Sequence, residues 1–215
     1  EFYINLEIAG HKIGIYVILF IIFAETGLLV GFFLPGDSLL FLSGIYSKAL
    51  MAEVVYIEND FMNVWALASL VALAGIIGNT FGYWFGAKSG NYLYQKEDSW
   101  IFKKKYLFES KAFFEKHGGR AIIFARFLPI IRTFAPIIAG IANMEIKKFM
   151  LYNILSSFIW AYSLIFAGHY LYRYLLDNHQ VDLTHYIEYI IIIIVIITTV
   201  PLVMKAIKSK GNKAE

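Results

Sequence analysis

The chain contains no cysteine, which excludes disulfides and thiolate metal sites and leaves the redox state of its compartment unreadable. Charge is scarce too. Only 16% of the 215 residues are charged, against 59% hydrophobic and 18% aromatic, and mean hydropathy is +0.63. That balance excludes an ordinary soluble domain and indicates an integral membrane protein, long enough for one membrane domain of several helices. No nucleic-acid-binding motif or basic-aromatic surface domain is present. Neither is a Gly-x-Ser-x-Gly elbow nor a Ser-Gly-His element of the lipid-phosphatase kind. The histidines, His11, His117, His169, His179 and His185, are scattered toward ends and loops, so no enzyme is expected and no cofactor or metal is implied. A cleavable signal peptide is not evident. The opening Glu1-Phe2 lacks a methionine, and further residues upstream are expected.

Proline is also rare, with four in the chain, and three of them interrupt hydrophobic stretches. Gly118–Met144 is apolar enough to enter a membrane, yet it carries Arg120, Arg126, Arg132, Pro129 and Pro136. An arginine at mid-bilayer depth costs about 2.5–3.5 kcal/mol on insertion scales. Each proline withholds an amide and displaces a helical hydrogen bond, which lipid cannot replace. Buried cations beside helix breaks therefore point to a polar site inside a membrane protein. The competing reading is one kinked span whose arginines snorkel to the headgroups.

In chain order, Ile13–Leu34 is apolar except for Glu25, and Pro35-Gly36-Asp37-Ser38 interrupts it with turn chemistry. Leu39–Ala52 resumes as a second limb of about 21 Å, short of the ~30 Å hydrocarbon core, so a re-entrant hairpin fits better than two crossings. Met62–Ala87 is long enough to span, and Gly75, Gly78, Gly82 and Gly86 give it a face for close helix packing. Asn79 lies among them and is expected to hydrogen-bond between helices. Residues 88–117 form the only long polar segment, rich in lysine. Its Phe108, Ala112 and Phe113 suggest an amphipathic interfacial helix, and Lys103-Lys104-Lys105 either sets topology or attracts anionic lipid. Apolar spans follow at Phe149 to about Tyr170 and at 187–204, where Pro201 is a minor kink, and four lysines close the chain.

Lysine-rich loops stay cytoplasmic. This places 88–117, 145–148 and the C-terminal tail inside, and 53–61 and 173–185 outside. The assignment holds only if Gly118–Met144 enters and leaves on one side. Ala121–Leu128, about 12 Å of helix, reaches toward the midplane without crossing. The expected fold is an all-α integral membrane protein forming a single domain over 1–215. It is an inverted repeat of a re-entrant, broken helix hairpin plus a transmembrane helix. Repeat 1 covers about 13–87 and repeat 2 about 118–172, joined by the cytoplasmic linker 88–117. An extra C-terminal transmembrane helix covers 187–204. Inverted repeats with discontinuous helices meeting near the midplane characterise secondary transporters.

The first hairpin brings Glu25 and Asp37, the second Arg126 and Arg132, with Pro35, Gly36, Pro129 and Pro136 at the tips. If the hairpins face each other, the four charges neutralise one another. Burial favours the neutral acid and arginine the anion, so Glu25 can change protonation when its arginine partner leaves. Arginine also presents a planar fork suited to phosphate oxygens.

Glu25-Thr26-Gly27, Leu34-Pro35-Gly36-Asp37-Ser38 and Gly44 form one group of motif residues. Gly119, Phe124-Ala125-Arg126-Phe127, Pro129, Arg132, Pro136, Ala139-Gly140 and Met144 form a second. Together they resemble the DedA family, whose members carry the "SNARE-associated Golgi" or VTT membrane domain, over roughly residues 10–175. The resemblance implies a protein of the bacterial inner membrane with two facing re-entrant helices, and the loop charges make it multi-pass with a cytoplasmic C-terminus. It also implies flippase activity on a phosphate-bearing lipid, undecaprenyl phosphate first, with phosphatidylethanolamine or another phospholipid, flipped or scrambled, as the alternative. Arg126 and Arg132 would bind the substrate. Glu25 and Asp37 would couple transport to protons driven by the proton motive force, with sodium ions as the other coupling ion. Self-association as a homo-oligomer is compatible with this reading. A membrane scaffold whose charge cluster is purely structural is the reading from another class.

Overall fold

A computed structural model describes residues 7–8, 11–28, 36–95, 116, 118–126 and 129–179. Those residues are mostly helical, with short turns between the helices and a small antiparallel ladder in which β1 (Glu7–Ile8) pairs with β2 (His11–Lys12). The helices are α1 (Gly14–Gly27), α2 (Gly36–Ile45), α3 (Ser47–Met51), α4 (Asp60–Gln95), α5 (Arg120–Arg126), α6 (Pro129–Ile141) and α7 (Ile146–His179). Among the described residues, two helices are long and apolar enough to cross a membrane, through Asp60–Gly90 and Ile146–Asn178. At 1.5 Å per residue α1, α2, α5 and α6 reach only about 21, 15, 10 and 20 Å, less than the ~30 Å hydrocarbon core.

Local chemistry sets the helix ends. The Glu53 carboxylate accepts the Ile15 amide at 2.8 Å and so caps α1, placing negative charge at its positive end. Gly118, with φ of 58°, turns the chain into α5, and Pro129 opens α6 where a missing amide costs nothing. Asn143, at φ 54°, closes α6 in a Schellman arrangement: the Met144 amide donates to Ala139 O and the Asn143 amide to Gly140 O, both at 3.0 Å.

α4 and α7 pack together at the centre and the shorter helices lie against them. One core gathers Ile15, Ile18, Ile22, Leu40, Val71 and Ile165; a second gathers Ala125, Ala139 and Phe149. Large side chains such as Trp65, Ile77, Trp84, Leu151 and Leu155 face outward, as the helices of a membrane protein require.

Two crossings share one geometry. Where α2 meets α7, a Cβ on Gly44 would strike the Ile165 carbonyl, and one on Gly168 the Phe41 carbonyl. Where α6 meets α4, a Cβ on Gly140 would strike the Tyr83 carbonyl, and one on Gly86 the Ile137 carbonyl. In both, each helix's glycine rests on the carbonyl three residues before the other helix's glycine. The second short helix of each half thus packs on the long helix of the other half, by the close backbone approach that glycine permits.

Several boundaries differ from the sequence reading. Pro136 is not at a tip: α6 runs through it, because one lost hydrogen bond is tolerable in a helix supported by a neighbour, and Pro136 packs on Gly82 of α4. The limb expected at 39–52 starts at Gly36 and breaks at Tyr46 into α2 and α3. α4 extends through 88–95, so the first part of the expected linker is helix, and α7 extends to His179 into the segment read as an outer loop. Pro35, Lys96, Lys103-Lys104-Lys105, Lys111, the stretch Phe108, Ala112 and Phe113, and the span at 187–204 lie outside the described residues.

Candidate functional site

The four charged residues singled out in the sequence meet where the short helices converge on α4 and α7. Glu25 is in the last turn of α1 and Asp37 in the first turn of α2. Arg126 ends α5, and Arg132 follows on α6 one turn after Pro129. Two placements suit the helix dipole, the anionic Asp37 at an N-terminus and the cationic Arg126 at a C-terminus. Glu25 sits at the unfavourable end and needs a cation. Arg132 supplies it.

Arg132 holds both acids. Its Nη2 donates to Glu25 Oε1 and its Nη1 to Asp37 Oδ1. Glu25 is 1% exposed and Arg132 8%, so neither ion has water to fall back on. A Cβ on Gly36 would run into the Glu25 carboxylate, which is why the chain can turn so close to it only with glycine there. Pairwise neutralisation of four charges is therefore not what the fold builds. Both carboxylates converge on one arginine.

Arg126, 4% exposed, enters none of the ion pairs among the described residues. Its guanidinium carbon instead lies 4.8 Å from the centre of the Trp160 ring, while that of Arg132 lies 5.3 Å from the same ring. A cation held on an indole face in a desolvated site gains about 2 kcal/mol, less than a carboxylate would give it. Gly75 makes room, since a Cβ there would sit 2.8 Å from Arg126 Nη2. That nitrogen has no hydrogen-bond partner; nor do Glu25 Oε2, Arg132 Nε or the buried Ser38 Oγ. Arg120 is exposed at the start of α5 and takes no part in the site.

Sequence reasoning missed Trp160. Its Nε1–H donates to Asp37 Oδ1 at 2.8 Å, so one indole serves an acid with its edge and two cations with its face. It also missed Asn153. Asn79 Nδ2 donates to Asn153 Oδ1 at 2.7 Å, and Asn153 Nδ2 donates to Ile76 O at 3.1 Å. Ser157 Oγ donates to Asn153 Oδ1 at 3.3 Å. The available signal was spacing: Asn153, Ser157 and Trp160, at steps of four and three, mark one face of the helix. Among the described residues no group of three or more His, Asp or Glu gathers to hold a metal ion. The arrangement instead offers an anion one buried arginine that no carboxylate among the described residues has claimed.

Helices too short to cross, packed around paired charges beside two long apolar helices, define a polytopic membrane protein with a polar interior. The VTT domain profile matches residues 34–170, the stretch that holds Asp37, Arg126, Arg132 and Trp160. Protein DedA of Escherichia coli (strain K12) is 40% identical over 164 residues, covering 76% of this chain and 71% of that protein. A membrane protein of Mycobacterium tuberculosis is 43% identical over 154 residues, or 72% of this chain and 64% of its own length. The inner membrane protein YghB of Escherichia coli (strain K12) is 34% identical over 151 residues, 68% of this chain and 63% of its own. The chain belongs to the DedA family of membrane proteins. No solved structure matches.

Proposed function

We propose that this protein is a lipid translocase, not an enzyme, and that it carries a phosphate-bearing lipid across the bacterial inner membrane. Undecaprenyl phosphate is the first candidate and phosphatidylethanolamine or another phospholipid the second. The observation that carries the reading is Arg126: a buried guanidinium on an indole face, with Nη2 unpartnered and no carboxylate paired to it among the described residues. A scaffold that needed only to neutralise its charges would have divided two acids between two arginines. Here the second cation remains available to a phosphate oxygen, while the hydrocarbon tail stays in the bilayer. As phosphate approaches, Arg132 can exchange Glu25 for a second phosphate contact, and Glu25, with Oε2 already unpartnered, takes up a proton. Protons are the expected coupling ion, with sodium the alternative.

The same reading treats α1–α2 and α5–α6 as re-entrant hairpins in inverted repeats, with the C-terminus in the cytoplasm. Two things support it, the insufficient lengths of these helices and the matched glycine crossings that relate one half to the other. Cysteines introduced by Tyr56→Cys and Gln180→Cys should react with an impermeant reagent added outside cells, and those from Lys104→Cys and Lys210→Cys should not. Labelling of only one of the last two would overturn the inverted repeat.

The function itself is tested in liposomes by leaflet-resolved movement of labelled undecaprenyl phosphate beside phosphatidylethanolamine. Arg126→Lys keeps the charge but loses the planar fork, so transport should drop about tenfold or more with membrane abundance unchanged. Equal transport by Arg126→Lys and the parent would mean the arginine is a generic counter-charge.

A further inference from the structure

We infer that Trp160 is the positioning residue that keeps Arg126 free, by fixing Asp37 on Arg132. The inference deepens the proposed function and rests on it for the identity of the anion. Asp37 Oδ1 accepts two hydrogen bonds, from Arg132 Nη1 and from Trp160 Nε1 at 2.8 Å. Both guanidiniums lie on the ring of that same indole, at 4.8 and 5.3 Å from its centre. Asp37 therefore stands among two cations, and charge alone gives it no reason to prefer Arg132, which already holds Glu25. The indole N–H supplies the preference. It occupies the oxygen that Arg132 uses and holds the carboxylate in one orientation. The indole face meanwhile gives Arg126 an attractive surface that carries no negative charge and does not compete with an incoming anion.

Without the N–H, Asp37 is free to turn to Arg126, whose Nη2 is a buried guanidinium donor without a partner. An internal carboxylate would then compete with the phosphate. Trp160→Phe is the selective change, since it removes the donor and keeps an aromatic face, though a smaller one, for the cations.

The probe is undecaprenyl phosphate titrated into the purified full-length chain in detergent, with uncharged undecaprenol as the control. Trp160→Phe should weaken binding of the phosphate about tenfold, the scale of one hydrogen bond to a charged group, and leave undecaprenol unaffected. Adding Asp37→Asn to Trp160→Phe should restore phosphate affinity to within about threefold of the parent, because the competing charge is gone. A tryptophan that merely packs would not be rescued by neutralising an acid. Unaltered affinity in Trp160→Phe, or a double variant as weak as the single one, overturns the inference.

A lipid-free measurement stands apart from the proposed function and from the folding of the Phe variant. In protein labelled with 15N-tryptophan, the Trp160 indole N–H resonance should shift clearly on Asp37→Asn. A resonance that stays in place means the indole does not hold Asp37, whatever lipid the protein carries. A parent that fails to distinguish undecaprenyl phosphate from undecaprenol, with the resonance shift intact, overturns the proposed function and leaves the role of Trp160 standing.

Discussion

Two polar clusters are buried along one face of α7, and they differ in completeness. At Asn153 and Ser157 the groups are neutral and satisfied: amide meets amide across the two long helices, and the remaining donor finds a backbone carbonyl. At Trp160, two turns further on, the groups are charged and four polar atoms of the cluster are left over. A closed network of neutral groups holds helices together in a bilayer, where an unmet polar group costs more than it does in water. An incomplete one at the meeting point of four helix ends has a different use, because leftover donors and acceptors are what a polar ligand binds. The first cluster is the joint between α4 and α7. The second is the site.

The largest effect should come from the arginine that both acids share. Arg132→Met takes from the buried Glu25 and the half-buried Asp37 the one cation that pairs with both, and losing one partner of a buried pair costs about 3–5 kcal/mol. Arg126→Met strands no carboxylate and should leave thermal stability in detergent close to the parent's, while abolishing transport. Equal destabilisation by the two substitutions would show that the arginines share the acids, and the contrast between a structural and an available cation would be lost.

The glycine crossings should come next and should behave as matched pairs. Gly44→Ala and Gly140→Ala each press a methyl group onto a backbone carbonyl of the facing helix, which cannot rotate away. Overpacking of this kind costs about 1–3 kcal/mol. Because the two crossings have the same geometry, the two losses in thermal stability should agree closely. A large loss at one glycine and none at the other would argue that the halves are not equivalent.

How much of this was legible follows from how local each signal is. The four charges announced themselves, since an ionised side chain in an apolar run is costly wherever it lies, and the fold brings all four to one place. Their pairing was not readable. It depends on helix dipoles and on an indole 34 residues beyond Arg126 in the chain. Trp160 was marked only by its spacing from Asn153 and Ser157, and tryptophan in an apolar span is unremarkable in so aromatic a chain. Pro136 misled for the converse reason. Its missing amide is a local fact, but the helix α4 that supports α6 across Gly82 is a tertiary one. The glycine face of α4 was visible from spacing alone, whereas the partner carbonyls on α6 needed the structure.

The smallest effect should fall on the satisfied cluster, and it tests the comparison most directly. Asn153→Ala removes the acceptor of Asn79 Nδ2 and the donor to Ile76 O, two bonds that link α4 and α7. Interhelical hydrogen bonds in a membrane average only about 0.6 kcal/mol and reach about 1.7, because the separated helices find other partners. Thermal stability should therefore fall slightly, and Asn79→Ala on top of it should cost less than it does alone, since its partner has already gone. Transport of the phosphate lipid should stay within about twofold of the parent, a change of under half a kcal/mol. A variant that folds normally and no longer transports would make Asn153 part of the lipid's route. The two clusters on α7 would then be one functional surface, and the distinction between joint and site would have to be given up.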